Sequence, residues 1–187
     1  TLFTANGLLM GITRVCMRGL GGGPEEYVDY LDWYYTQTGK KIDNDWHCTW
    51  LRDLSQMAHV RAPERTCLSA CEDMFQGKIV SNDSKGCGGI MRVAPMALFG
   101  ARYDPSGVII LAEAGGEIAM RTHKHPLGFL PASLLSVLLY KVMHMSVKQI
   151  REDIDRIVSE TLNILDDIYE DKYTNSKRHL KKLTEKA

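Results

Sequence analysis

The sequence predicts an all-α protein, a compact bundle of about eight helices. Apolar residues recur at helical spacing along most of the 187 residues, and no segment alternates apolar and polar residues at the period of a β-strand. Residues 127–145 are apolar on nearly every side, which is typical of a helix in the middle of a bundle. At 187 residues the chain is long enough for one domain with a sizeable core, so we expect a single domain over residues 1–187.

Three helices are predicted in the first part of the chain, each followed by a glycine. They cover residues 2–18, 24–38 and 65–75, and the glycines are Gly19, Gly39 and Gly77. Glycines 21–23 also interrupt the first pattern, and Pro24 with two following acids favours the start of the second helix. Between the second and third helices the pattern permits one short helix that includes Trp46 and Trp50.

The second part of the chain predicts the remaining helices. Residues 90–100 are helical in pattern, with a bend or end expected at Pro95, and Asp104-Pro105-Ser106 is typical of a cap for the next helix, at residues 108–119. Beyond the apolar segment, residues 147–168 place an apolar side chain every three or four positions, which predicts an outer helix with one buried stripe. The basic tail, residues 175–187, predicts a solvated terminal helix.

Composition limits the partners and the compartment. Lys and Arg total 23, as do Asp and Glu, so net charge indicates no nucleic-acid partner. The five cysteines include no C-x-x-C pair, which favours a reducing, cytoplasmic location. The longest uncharged stretch, residues 126–140, is shorter than the roughly 20 residues of a membrane span, so we expect no membrane partner.

A glycine-rich stretch, residues 81–95 (SNDSKGCGGIMRVAP), is the strongest candidate for a binding loop. Gly86, Gly88 and Gly89 let a ligand approach the backbone, while Asn82, Asp83 and Ser84 supply short polar side chains. Backbone N–H groups beside a helix N-terminus can hold a phosphate. A tight connection between helices that binds no ligand is the alternative, because the loop matches neither a Rossmann nor a Walker A sequence.

Four segments together resemble the ADP-ribosylglycohydrolase family, which includes dinitrogenase reductase-activating glycohydrolase. They are residues 1–7 (TLFTANG), 61–70 (RAPERTCLSA), 86–95 (GCGGIMRVAP) and 122–128 (THKHPLG), and they span most of residues 1 to about 140. The resemblance implies an all-helical orthogonal bundle. It also implies a hydrolase that removes ADP-ribose from modified proteins or small molecules by cleaving the glycosidic bond at the distal ribose.

The resemblance further implies two Mg²⁺ ions, held by a Thr/Ser-Asp-Asp-Thr run and an Asp-x-Asp-Thr run. Neither run is present, so we assign no metal ligand in this chain and expect it to be incomplete at the N-terminus and also at the C-terminus. The 187-residue chain is therefore expected to be inactive. Asp166-Asp167 lies on the charged side of an outer helix and is interpreted as facing solvent.

What the resemblance implies for this chain is the substrate-binding part of the site. The expected substrate contacts are Asn82, Asp83, Ser84, Lys85, Gly86, Cys87, Gly88 and His123. From the residues alone, His123 has a second interpretation as a cap or core histidine, and His125 is interpreted as structural. Cys87 is not expected to be a nucleophile.

Other side chains that could carry chemistry have structural interpretations. Arg92 could pair with a phosphate, or it could be a buried ion-pair partner that holds the loop, and we favour the second. Cys67 and Cys71, four apart, could bind a metal but more often fill a core, and His47-Cys48 is interpreted as packing.

Two further classes of function remain open from the sequence. One is a non-catalytic module that binds ADP-ribose or another nucleotide through the glycine-rich loop. The other is a purely structural helical domain.

Overall fold

The computed structural model describes residues 1–19, 25–40, 49–103 and 107–185. These residues form eight α-helices and two 3₁₀ turns, and no strand occurs among them, which confirms the all-α prediction. The helices are α1 (Leu2–Arg18), α2 (Glu25–Thr38), α3 (Arg65–Phe75), α4 (Ala94–Tyr103), α5 (Val108–Met120), α6 (Pro126–Met143), α7 (Val147–Tyr169) and α8 (Thr174–Thr184). The 3₁₀ turns are Trp50–Asp53 and Ile90–Arg92.

The chain divides into two compact parts, unit 1 (Thr1–Asn82) and unit 2 (Asp83–Ala187). The single domain expected from the sequence stays a prediction. Unit 1 contains α1 to α3 and the first 3₁₀ turn, and unit 2 contains the second turn and α4 to α8.

In unit 1, α2 contacts α1, α3 and the 3₁₀ turn. The glycines expected to end α1, α2 and α3 have positive φ angles of 62°, 74° and 68°, at Gly19, Gly39 and Gly77, which other residues rarely adopt. Cys67 and Cys71 are both buried on α3, as the packing interpretation expects.

In unit 2, α6 contacts α4, α5, α7, α8 and the second 3₁₀ turn. Its length and mean hydropathy of 1.5 are sufficient to cross a membrane, yet half of its residues are buried within the protein. A core helix passes the same test of length and composition, and the helices packed around α6 make it the core helix of unit 2. Its buried side chains include Phe129, Leu130, Leu134 and Val137.

Two local predictions need correction. Pro95 does not bend or end a helix. A 3₁₀ turn covers Ile90–Arg92, and Pro95 lies in the first turn of α4. An N–H in the first turn has no acceptor within the helix, so its absence in proline costs no helical hydrogen bond. The basic tail is not simply solvated, because α8 buries Lys177 and Leu180.

Several sequence interpretations lie outside the described residues. They concern the glycines at 21–23, Pro24, Trp46, the His47-Cys48 pair and the Asp104-Pro105-Ser106 cap.

Candidate functional site

The predicted binding loop, residues 83–89, is irregular backbone that leads into the 3₁₀ turn Ile90–Arg92. Exposure alternates along it: Asp83, Lys85 and Cys87 are exposed, whereas Ser84 and Gly86 are half-buried and Gly88 is buried. The loop therefore turns Ser84 and the glycine backbone inward and its longer side chains toward solvent. Asn82, the remaining predicted contact in this stretch, is half-buried and is the last residue of unit 1.

A small turn shapes the start of the loop. The backbone N–H of Gly86 donates to Ser84 Oγ at 3.2 Å, so the Ser84 side chain closes a turn over two residues. The N–H of Ile90 donates to the Cys87 carbonyl at 3.2 Å, which closes the following turn. Both hydrogen bonds hold the backbone between Ser84 and Ile90 in a defined curve.

Gly128, in the first turn of α6, packs against both this loop and His123, the histidine predicted to contact the substrate. A Cβ added at Gly128 would lie 2.6 Å from the Ser84 carbonyl oxygen and 3.0 Å from the Cβ of His123. The distance to the Ser84 oxygen is shorter than real Cβ contacts, and the distance to His123 is tighter than nine in ten of them, so a side chain at this position would force the Ser84 backbone to move. Ser84 and His123, far apart in sequence, are thus neighbours of the same backbone position.

Gly89 fixes the other end of the loop in the same way. A Cβ there would lie 2.8 Å from the Cβ of Ala119 and 3.1 Å from the carbonyl oxygen of Gly128. The loop therefore packs directly on the end of α5 and the start of α6, with glycine at each close approach.

His123 is fully buried, and its ring is hydrogen-bonded to its neighbour. The Nδ1 atom lies 2.8 Å from the Oγ1 of Thr122, which also accepts a hydrogen bond from Nη2 of Arg92. A second bond from Arg92 Nη2 reaches the Ala119 carbonyl at 3.3 Å. Arg92 is buried, as predicted, and these two hydrogen bonds are made to neutral groups; the ion pair expected for it stays a prediction.

His125 has a structural role, as predicted. Its Nδ1 accepts the backbone N–H of Leu127 at 2.9 Å and so caps the N-terminus of α6. Because an N–H needs an acceptor, Nδ1 carries no proton, and the proton of the neutral ring is on Nε2. That Nε2 lies 4.0 Å from a carboxylate oxygen of Asp83, which places the exposed Asp83 side chain beside the cap.

The carboxylates of the described residues do not fit a two-magnesium site within either unit. Magnesium requires several oxygen ligands in octahedral geometry. In unit 2, Asp83 is the one carboxylate of the loop, and Asp166 is bound by Lys177 and Lys181 of α8. In unit 1, the buried Asp32 pairs with Arg52 at 3.0 Å, and Asp29 accepts a hydrogen bond from Asn6 at 3.4 Å.

The interpretation of Asp166-Asp167 as solvent-facing is therefore correct only for Asp167, which is exposed. Asp166 is partly covered by α8. Burial by itself would raise the pKa of Asp166, but hydrogen bonds and charge from Lys181 and Lys177 together hold that pKa below its ordinary value.

The described residues form an all-helical fold in which a glycine-lined loop packs beside a buried histidine. The family model for ADP-ribosylglycohydrolase matches residues 1–187, the whole chain, so the chain belongs to the ADP-ribosylglycohydrolase family. No curated protein and no solved structure matches it.

Two residues that shape the site had no role assigned from sequence. Thr122 bonds His123 and Arg92, and Gly128 accommodates Ser84. Both lie in the THKHPLG segment that carries the family resemblance, but their contacts are with residues distant in sequence, which spacing alone cannot show. A glycine in the first turn of a helix is the one signal that could have marked Gly128, because glycine is costly inside a helix.

Proposed function

We propose that the chain binds the ADP-ribosyl group at the loop of residues 82–88 and His123, as part of an enzyme that hydrolyses the glycosidic bond at the distal ribose. Family membership supports the class of reaction. The substrates are ADP-ribosylated proteins or small ADP-ribosylated molecules, and the reaction takes place in the cytoplasm.

One observation carries the proposal: Gly128 brings the backbone of Ser84 beside His123. These are the two parts of the chain that the family resemblance assigns to the ligand, and they come from segments about forty residues apart in sequence.

The loop supplies the chemistry that a diphosphate needs. The Gly86 N–H already donates to Ser84 Oγ, so we assign the phosphate contacts to the N–H groups of Cys87 and Gly88. Lys85 is exposed on the same loop and adds positive charge that favours an anion. The exposed thiol of Cys87 takes no part.

In hydrolysis, a water oxygen forms a bond to the anomeric carbon of the distal ribose, the bond from that carbon to the modified group breaks, and the leaving group takes a proton. Magnesium, where bound, would polarise the water or the ribose hydroxyls. No step is assigned to it here, because the described carboxylates do not form its site. Magnesium dependence remains a prediction.

Calorimetry with ADP-ribose tests the binding proposal. We expect the 187-residue chain to bind ADP-ribose, and Gly88→Val to weaken binding strongly, since a side chain at this buried position would fill the space beside the backbone. Gly11→Ala is the matched control, because a Cβ at Gly11 meets no atom within 4 Å. If Gly88→Val binds ADP-ribose with unchanged affinity, the loop is not part of the binding site.

Hydrolysis is tested separately, by release of ADP-ribose from ADP-ribosylated protein. We expect the product of the full-length gene to release ADP-ribose with Mg²⁺ and to stop when the metal is chelated, and the 187-residue chain to release none. Turnover by the 187-residue chain would contradict the second expectation, and a full-length product inactive with or without metal would contradict hydrolysis.

A non-catalytic ADP-ribose or nucleotide-binding module is the second candidate. The observation that favours it is the dispersal of the described carboxylates, of which only Asp83 belongs to the loop. Tight binding that is independent of Mg²⁺, together with no hydrolysis by the full-length product, would support the module.

A further inference from the structure

The ring of His125 contacts both the start of α6 and the start of the binding loop. Its Nδ1 accepts the backbone N–H of Leu127 at 2.9 Å, and its Nε2 lies 4.0 Å from a carboxylate oxygen of Asp83. The His125 side chain is 17% exposed, so solvent reaches the ring, and the Asp83 side chain is 88% exposed. All three residues belong to unit 2. A change in this ring therefore acts on the helix and on the loop together.

The first connection between the ring and the loop runs through the first turn of α6. The ring holds the N–H of Leu127, and the next N–H, that of Gly128, donates to the His125 carbonyl at 2.8 Å. Gly128 is the position at which a Cβ would lie 2.6 Å from the Ser84 carbonyl oxygen, so the backbone of this turn packs directly on the loop. The cap made by His125 therefore fixes the surface against which Ser84 lies.

The second connection is electrostatic and joins the ring to Asp83, the residue before Ser84. At 4.0 Å the contact is longer than a hydrogen bond, and the carboxylate is exposed to water, so a neutral ring holds Asp83 only weakly. A positively charged ring attracts the same carboxylate more strongly. The charge of His125 therefore sets how firmly Asp83 is held.

A second proton on the ring removes the first connection. This proton comes from solvent and adds to Nδ1, the ring nitrogen that carries none in the capping form. The N–H of Nδ1 then faces the N–H of Leu127, and two donors cannot bond each other. The positive ring also lies at the N-terminus of α6, where the helix dipole repels it. A protonated His125 therefore cannot cap α6.

The charged and titratable groups around the ring determine where a protonated His125 turns. They are Asp83 and Lys85 on the loop, His123 and Lys124 before α6, and Arg92 on the 3₁₀ turn that contacts α6. His123 and Arg92 are buried and hydrogen-bonded to Thr122, and the two lysines are positive. Among the described residues, Asp83 supplies the carboxylate within ion-pair distance of the ring. Protonation therefore draws His125 away from α6 and toward Asp83.

We infer that His125 is a positioning residue that makes ligand binding by the loop sensitive to protons. The neutral ring caps α6 and keeps Gly128 against Ser84, whereas the protonated ring gives up the cap and pulls on Asp83. Both changes displace the start of the loop, so binding weakens as His125 takes up its second proton, in the range of about pH 8 to 5 where histidines change charge. This inference deepens the proposed function and rests on it for the identity of the ligand.

Calorimetry with ADP-ribose, on the 187-residue chain from about pH 7.5 to about pH 5.5, tests the inference. ADP-ribose has no terminal phosphate, whose second ionisation falls at about pH 6, so its own charge stays constant over this range. His125→Asn keeps the cap, because asparagine is among the best capping residues, but it cannot take up a proton. His179→Asn, at an exposed histidine of α8, is the matched control.

His125→Asn should bind ADP-ribose much as the unmodified protein does at the upper end of this range. On acidification the unmodified protein should lose roughly threefold to tenfold more affinity than His125→Asn, a size set by what one helix cap contributes. His179→Asn should follow the unmodified protein. Identical pH profiles for the unmodified protein and His125→Asn would overturn the inference.

The state of the ring is measured without ligand, on the unmodified chain labelled with ¹⁵N. At neutral pH we expect His125 to have an unprotonated Nδ1 and a protonated Nε2. As the ring takes up its second proton, protection of the Leu127 amide from hydrogen exchange, corrected for the intrinsic exchange rate, should fall. A ring protonated at Nδ1 at neutral pH, or unchanged protection of Leu127, would overturn the inference. Loss of protection in a protein that binds no ADP-ribose at any pH would support the proton-sensitive cap and refute the proposed function.

Discussion

Gly128 lies so close to Ser84 that a Cβ on residue 128 would be 2.6 Å from the Ser84 carbonyl oxygen. The obstructing atom belongs to the backbone, so a side chain at residue 128 can be accommodated only if the loop or the start of α6 moves. Because the same added Cβ would lie 3.0 Å from the Cβ of His123, such a movement would alter both parts of the proposed site.

Gly128→Ala should therefore impair both stability and ligand binding. We expect a loss of about 1–3 kcal/mol in the free energy of unfolding, as for other overpacked positions, and weaker binding of ADP-ribose. Urea unfolding and calorimetry measure the two effects. Gly11→Ala, in open space on α1, should instead be stabilising by about 0.5–1 kcal/mol, and a Gly128→Ala protein that matches it would show that the close approach does not exist.

Breaking the buried ion pair of unit 1 should be far more costly than removing an exposed one. Arg52 and Asp32 are 3.0 Å apart with side chains 8% and 5% exposed, and the guanidinium also lies over the Tyr35 ring at 5.7 Å. Arg52→Met leaves the Asp32 carboxylate buried without its cation, for which we expect a loss of about 3–5 kcal/mol.

Tryptophan fluorescence can follow this change in unit 1, because all three tryptophans belong to residues 1–82. Arg156→Met, which removes an arginine paired with Asp153 and Glu160 on the exposed surface of α7, is the control and should change stability little. Similar losses of stability in Arg52→Met and Arg156→Met would show that burial does not increase the cost of removing an arginine from its ion pair.

The stability contributed by Asp166 should depend on pH. Its pKa is lowered, because the lysines of α8 outweigh the opposing effect of burial, so the folded state binds fewer protons than the unfolded state in the acidic range. The contribution is fully present above the ordinary Asp pKa of about 3.9 and is lost as pH falls through the lowered value.

At neutral pH, Asp166→Asn should lose about 1 kcal/mol, a modest figure because the side chain is 39% exposed and screened by water. The difference from the unmodified protein should shrink below pH 4. Equilibrium unfolding across the acidic range measures it, and Asp167→Asn, at the exposed neighbour, should show no such trend. If the difference in unfolding free energy between the unmodified protein and Asp166→Asn stays constant with pH, the lysines of α8 do not lower the pKa of Asp166.

The helices of this fold were predictable because their signals are local. Apolar spacing marks α1 and α3, and a glycine with positive φ follows each, so sequence and structure agree on their extent. Pro95 was misinterpreted because a proline within an apolar pattern can either interrupt a helix or occupy its first turn, and only the backbone of the preceding 3₁₀ turn decides between them.

The site was predictable only in part, for a related reason. The loop and His123 were identified from the family resemblance, but the hydroxyl of Thr122 and the space at Gly128 matter through contacts with distant residues. The tail was misjudged because Lys177 belongs to a run of charges that is typical of a solvated face. Its stem is buried while its ammonium group reaches Asp166 at 3.3 Å and the Glu170 carbonyl, which a charge pattern does not reveal.

At the alkaline end of the pH range, Tyr169 should limit stability. Burial raises the pKa of its phenol, against the effect of the hydrogen bond with Ser133, while the charges of Glu113 and Glu117 add to the increase. The folded state therefore keeps the phenolic proton at pH values where the unfolded state has lost it. The stability is fully present below the ordinary Tyr pKa of about 10 and falls as pH rises through the raised value.

Tyr169→Phe removes the ionisable group but keeps the ring that contacts Phe129 and Tyr173. Near neutral pH it should cost about 1 kcal/mol, for the lost hydrogen bond with Ser133 at 3.1 Å. Above pH 10 this cost should decrease, and the variant should become the more stable of the two if the raised pKa contributes more than the hydrogen bond. Unfolding free energies measured from pH 7 to 11 test this, with Tyr173→Phe, at a more exposed ring, as the control. Parallel curves for the unmodified protein and Tyr169→Phe would show that the Tyr169 phenol titrates alike in the folded and unfolded chain.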